Sequence, residues 1–190
     1  MPDGCPRLFA GYALISGRFS SLSVMSNEIE NLATRVGAFL LREKMTLSTA
    51  ESCTGGGIAA AITAIPGSSA YFKGGIVSYT NEVKQRLLGV QQATLDNNGV
   101  VSKQTVMEMA RGAMNTLQTD AAIATSGVAG PTGGTEETPV GVIWIAVAYK
   151  NEMVTFKQEG DCGRGENVRR AIENGLKILL EQLENKKKCI

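Results

Sequence analysis

Histidine is missing altogether from this chain of 190 residues, and that absence limits the chemistry open to it. A serine or cysteine nucleophile here has no imidazole to draw on, so its base must be a lysine, a tyrosine or a carboxylate. No apolar run approaches the roughly 20 residues that a membrane-spanning helix needs, so no membrane partner is expected. Aromatic residues make up only 5%, poor material for stacking nucleic-acid bases. The net charge of +1 provides no field that would gather a polyanion. The four cysteines, Cys5, Cys53, Cys162 and Cys189, form no CxxC pair, which argues against a structural zinc site. Neither a metal nor a cofactor is expected. Scattered cysteines of this kind suit a reducing cytoplasm, and Cys189, second from the end, is misplaced for a prenylation signal.

What is present suffices for one substantial core, since 43% of the residues are hydrophobic. Residues 26–185 read as a single domain. Leu8 to Ile15 (LFAGYALI) follows Arg7 with the outline of a signal-peptide core. Residues 1–25 read better as a leader, flexible or upstream of the native start, because Met25 stands directly before a clean helix start. Residues 186–190 form a basic tail. Between them helical and strand patterns alternate. Ser26 can cap a helix with Ile29, Leu32, Val36, Phe39 and Leu40 on one face. Lys44 to Ala50 reads as a buried strand and Gly55 to Ile65 as a helix stopped by Pro66-Gly67. Gly74 to Tyr79 is a strand, and Thr80 caps a helix over Asn81 to Leu88 that ends at Gly89. Gln92 to Asn98 and the segment after Ser102 are helical. Ala121 to Thr125 and Val140 to Tyr149 are strands, the latter apolar enough for burial on both faces. Met153 to Gln158 returns as a hairpin partner, and Glu166 to Leu183 is the last helix. The pattern predicts an α/β fold, a three-layer α/β/α sandwich whose central sheet the hairpin makes mixed.

Four segments could carry chemistry. The first is Thr49 to Gly57 (TAESCTGGG), where Ser52 and Thr54 sit between a strand and a helix start. Glycines there let a backbone approach a ligand closely, and the amides of Gly55, Gly56 and Gly57 could hold an anion or an oxyanion. Ser52 is the candidate nucleophile and Cys53 its weaker rival; a plain helix cap is the bland alternative. The second segment is Ser78 to Lys84. It offers Lys84 as a general base if burial lowers its pKa, and Tyr79 as a proton relay or oxyanion donor. A solvated Lys84 beside a half-buried Tyr79 is the competing reading. The third, Thr125 to Thr135, is a glycine- and hydroxyl-rich loop after a strand, suited to a phosphate or ribose or else a simple surface loop. The fourth precedes the last helix, where Arg164 and Arg169 could reach a phosphate, unless they are ordinary exposed arginines.

Together these segments resemble the CinA C-terminal domain family, the nicotinamide mononucleotide deamidases. The resemblance covers about residues 27 to 183 and rests on TAESCTGGG at Thr49 to Gly57, PGSSAYFKGGIVSYTNEVKQRLLGV at Pro66 to Val90, and TSGVAGPTGGTEETPVG at Thr125 to Gly141. It implies a three-layer α/β/α fold. It also implies hydrolysis of the carboxamide of nicotinamide mononucleotide to nicotinic acid mononucleotide and ammonia, without a metal. By the same resemblance Ser52 is the nucleophile, and Tyr79 and Lys84 are the proton-transfer pair. Thr54 and the loop residues Ser126, Gly127, Gly130, Thr132 and Gly133, with Arg164, would bind the substrate. No counterpart of the N-terminal cofactor-type domain of full CinA proteins is expected. Two positions depart from the family pattern: Ser126 stands for its common threonine, and Cys162 for the arginine of its Gly-Asp-Arg, with Arg164 two residues on. A catalytically silent paralogue, acting as a nucleotide-binding or assembly protein, is the alternative. A small nucleotide is the expected partner, in a cytoplasmic protein whose sequence permits a homo-oligomer.

Overall fold

Strands β1 (Leu47–Glu51), β2 (Phe72–Val77), β3 (Ala121–Gly127), β4 (Ile143–Tyr149) and β5 (Glu152–Gln158) form one sheet in the order β2-β1-β3-β4-β5. The computed structural model describes residues 27 to 185. The leader and basic-tail expectations, and the Ser26 cap, lie outside them. β1 pairs in parallel with both β2 and β3, and β3, β4 and β5 then pair antiparallel. The sheet is therefore mixed, as the hairpin in the sequence predicts.

Alternation along the strands decides what each face meets. In β3 and β4, Ile123, Ile143, Ile145 and Val147 pack with helices α1 (Asn27–Glu43), α2 (Gly57–Thr63) and α6 (Arg164–Asn185). Their neighbours Ala122, Ala124, Ala146 and Ala148 face α5 (Lys103–Leu117), which is flanked by α3 (Asn81–Leu88) and α4 (Gln92–Asn98). Branched side chains thicken one layer. Alanines on the other let α5 lie close, with Val106, Met109, Ala110 and Ala113 filling the gap. The caps form as expected: Thr80 Oγ1 accepts from the Val83 amide at 3.4 Å and Ser102 Oγ from the Thr105 amide at 3.2 Å.

Boundaries differ where the backbone turns. The strand expected from Lys44 begins at Leu47, because Lys44 adopts a left-handed φ of 54° and the Met45 amide returns to the Leu40 carbonyl, closing α1. The helix expected from Gly55 begins at Gly57, because Gly55 and Gly56 take φ of 60° and 96° and form the turn themselves. β4 begins at Ile143 rather than Val140, since Gly141 turns at φ 91° and the Val142 amide bonds to the Pro139 carbonyl.

Because β1, β2 and β3 run parallel, their carboxyl ends share one edge of the sheet. The chain leaves β1 toward α2 on one face and leaves β2 toward α3 on the other. A crevice opens where such connections part, and it is there that α/β sheets hold ligands.

Candidate active site

The period of two in β1 sends Glu51 to the α2 side and aims the following residue, Ser52, at the opposite face. There α3 presents Lys84. Its side chain is 1% exposed, and its Nζ donates to the Ser78 carbonyl at 2.6 Å and to Ser52 Oγ at 3.0 Å. Among the described residues no carboxylate shares this contact. Burial lowers the Lys84 pKa from 10.5 to about 8. At pH 7 about a tenth of Lys84 is then an uncharged amine, which can accept the Ser52 proton. Cys53, the rival nucleophile, is buried, and burial pushes its thiol up to about 12. It is a neutral thiol at physiological pH and lacks the thiolate that attack requires.

The glycine turn does something other than what its sequence suggests. The Gly55 amide bonds to the Ser52 carbonyl at 3.1 Å and the Gly57 amide to the Thr54 carbonyl at 3.0 Å. The Gly56 amide bonds to Glu51 Oε2 at 3.1 Å. All three donors assigned to an oxyanion are thus engaged inside the chain, and the anion at the start of α2 is Glu51. Thr54 is likewise turned away from the crevice: its hydroxyl donates to Glu51 Oε2 at 2.7 Å and shares a hydrogen bond with Thr125 Oγ1 at 2.8 Å.

Above Ser52 and Lys84 lies a cleft of about 330 Å³, at the lower end of the range for small-ligand sites. Ser126, Gly127, Gly130, Thr132, Gly133 and Arg164 all line it. Tyr79 lines it too, but at its mouth, 61% exposed. Its hydroxyl meets Arg164 Nη2 at 3.5 Å, so Tyr79 belongs to the wall, and of the two it is Lys84 that contacts Ser52. Arg164 Nη1 also donates to the Gly130 carbonyl at 2.8 Å, so the guanidinium bridges the two sides of the mouth. Arg169 does not reach the cleft, being held by Glu166 and Glu173 on its own helix. Arg170 is occupied by the Glu159 and Gly160 carbonyls and lies 3.4 Å from Cys162 Sγ. The phosphate-binding expectation therefore rests on Arg164 alone.

Other positions carry the site without a recognisable motif. Val100 and Val101, between α4 and α5, supply an apolar wall, and Ser126 Oγ donates to the Val100 carbonyl at 2.8 Å to hold it. Fully buried Asn167 donates to the Ala129 carbonyl and to Asp161, and accepts from the Cys162 amide, tying the loop to the start of α6. The hydrogen bonds from Asn167 and the Gly163 amide hold the Asp161 carboxyl below the usual carboxylate range. A second cavity, about 250 Å³ between α5 and the β4–β5 turn, contains Arg111 and Lys150 but no hydroxyl or thiol nucleophile. The chemistry points to the first.

Residues 29–183 match the model of the CinA C-terminal domain. A CinA-like protein of Endomicrobium trichonymphae is 47% identical over 154 residues, covering 81% of this chain and 36% of that protein. One from Shewanella sp. (strain MR-4) is 52% identical over 129 residues, covering 68% and 30%. The chain thus spans about a third of the length of these curated relatives. Among solved structures, the competence/damage inducible protein CihA from Agrobacterium tumefaciens superposes with a TM-score of 0.82 at 40% identity, covering 85% of this chain and 99% of that one. A CinA superfamily protein from Klebsiella pneumoniae gives 0.79 at 35% identity, covering 83% and 98%.

Proposed function

The chain belongs to the CinA C-terminal domain family, and from that premise we propose that it is an amidohydrolase releasing ammonia from nicotinamide mononucleotide through a Ser52 acyl-enzyme. The observation that carries the reading is the 3.0 Å contact between Ser52 Oγ and the buried Lys84 Nζ. A solvated lysine beside a helix cap would have neither the contact nor the lowered pKa.

In this reading Ser52 Oγ attacks the carboxamide carbon while its proton passes to uncharged Lys84. The C–N bond then breaks, Lys84 returns the proton to the leaving nitrogen, and ammonia departs. A water enters, gives a proton to Lys84 and attacks the ester; the ester C–O bond breaks as Lys84 passes that proton to Ser52 Oγ, and the acid leaves. The amides of Gly55 to Gly57, engaged inside the turn, do not serve the developing oxyanion. Tyr79, Val100 and Val101 offer flat and apolar surface to the pyridine ring. The loop from Ser126 to Gly133 faces the ribose, and Arg164 moves from Gly130 and Tyr79 onto the phosphate.

The test is to mix the purified protein with nicotinamide mononucleotide and measure ammonia. Release at a steady rate is expected. Thermal stabilisation by the nucleotide with no ammonia would instead identify a nucleotide-binding paralogue, and neither effect would leave an assembly role.

A further inference from the structure

Among the buried groups that the proposed chemistry does not use, Glu51 makes the most contacts of consequence. It precedes Ser52, is 1% exposed, and touches nothing in the cleft. Its Oε2 accepts from Thr54 Oγ1 at 2.7 Å, from the Gly56 amide at 3.1 Å and from the Ile58 amide at 3.0 Å; its Oε1 accepts from the Ala59 amide at 2.9 Å. These donors span the whole turn from the nucleophile to the first residues of α2. Through Thr54 the network reaches Thr125 at the end of β3, next to Ser126 in the cleft wall. On its other side the Glu51 carbonyl accepts from the Ser78 amide at 2.8 Å, and the Ser78 carbonyl anchors Lys84.

We propose that Glu51 is the positioning residue of the nucleophile: its carboxylate satisfies the start of α2 from within and clamps the turn so that Ser52 stays in register with Lys84. Two left-handed glycines make this turn easy to form but also easy to reshape. A carboxylate with four short hydrogen bonds removes that freedom. The same network closes the Gly56 amide to substrate, and the Ser52 and Thr54 carbonyls close those of Gly55 and Gly57.

The chemistry of a substitution follows from the division of donors. In Glu51→Gln the amide oxygen can face the three donors that Oε2 now serves, leaving only the Ala59 amide opposed by an NH₂ group. That variant keeps the fold and most of the clamp. Glu51→Ala removes it. The inference rests on Ser52 being the nucleophile, so Ser52 is read directly: the rate at which a fluorophosphonate labels its hydroxyl, together with kcat and KM. A misplacement of the order of an ångström costs on the order of 10²-fold in rate. Labelling and kcat are therefore expected to fall about 10²-fold in Glu51→Ala and about tenfold in Glu51→Gln, with KM within twofold of wild type. Activity should still rise as pH passes through about 8, where buried Lys84 loses its proton, since Lys84 is untouched. Labelling of Ser52 reads its placement whatever the natural substrate, so failure of the substrate assignment leaves this test standing. Folded Glu51 variants that label and turn over at the wild-type rate, or a loss lying in KM, would overturn the proposal.

Discussion

In the proposed mechanism the reactivity rests on a buried lysine, with a serine hydroxyl and a carbonyl as its polar partners. Burial disfavours the ammonium form, which makes a useful base near neutral pH out of a residue otherwise charged until about 10.5. Activity is therefore expected to rise as pH passes through about 8 and to level off above it, in a profile of kcat/KM against pH. Lys84→Met should remove that limb and lower the rate by roughly 10²–10⁴, the usual contribution of a general base. The same burial weakens the fold at lower pH. Below about 8 both folded and unfolded chains hold the Lys84 proton, and the penalty of burying the cation is complete. Between about 8 and 10.5 the folded state has released the proton while the unfolded chain retains it, so stability recovers as pH rises.

Elements matter because Ser52 and Lys84 come from different ones. α3 is held against the sheet chiefly through α5, and the two helices approach closely at Gly112. A Cβ there would collide with the Leu88 carbonyl, a backbone atom that cannot swing aside. Gly112→Ala is expected to cost about 1–3 kcal/mol by overpacking, visible as a melting temperature lower by several degrees. It should also slow turnover, since any shift of α3 carries Lys84 away from Ser52. Gly165→Ala, in a position of α6 open to space, is the control: its melting temperature should not fall. At the other end of the cleft, α6 is joined to the loop by Asn167 and Arg164, so the mouth is built by contacts between segments more than thirty residues apart in sequence.

For the whole molecule, the parallel arrangement of β1, β2 and β3 brings Ser52, Tyr79 and Ser126 to one edge of the sheet, where connections to opposite faces leave a crevice. The order of helices and strands was legible in the sequence, because amphipathic spacing in α1, α5 and α6 and the apolar run of β4 each allow one packing. That the loop from Ser126 to Gly133 and Arg164 lie at this crevice was legible in part, from glycines and hydroxyls placed directly after a strand and an arginine at a helix start. The destination of the glycine amides was not. TAESCTGGG carries a helix start and three flexible residues, but nothing local says that the preceding glutamate folds back to fill it. Nor could the reach of Tyr79 toward Arg164, or the wall made by Val100 and Val101, be read from spacing, since these contacts exist only once distant segments have packed.

The central claim, that Ser52 is the nucleophile, is tested most directly by the rate of ammonia release from nicotinamide mononucleotide in Ser52→Ala against wild type, at saturating substrate and pH 8. Loss of a serine nucleophile that acts together with its base costs orders of magnitude. The account predicts a fall of at least about 10³-fold, with the melting temperature preserved and the nucleotide still bound. Release within tenfold of wild type would contradict it.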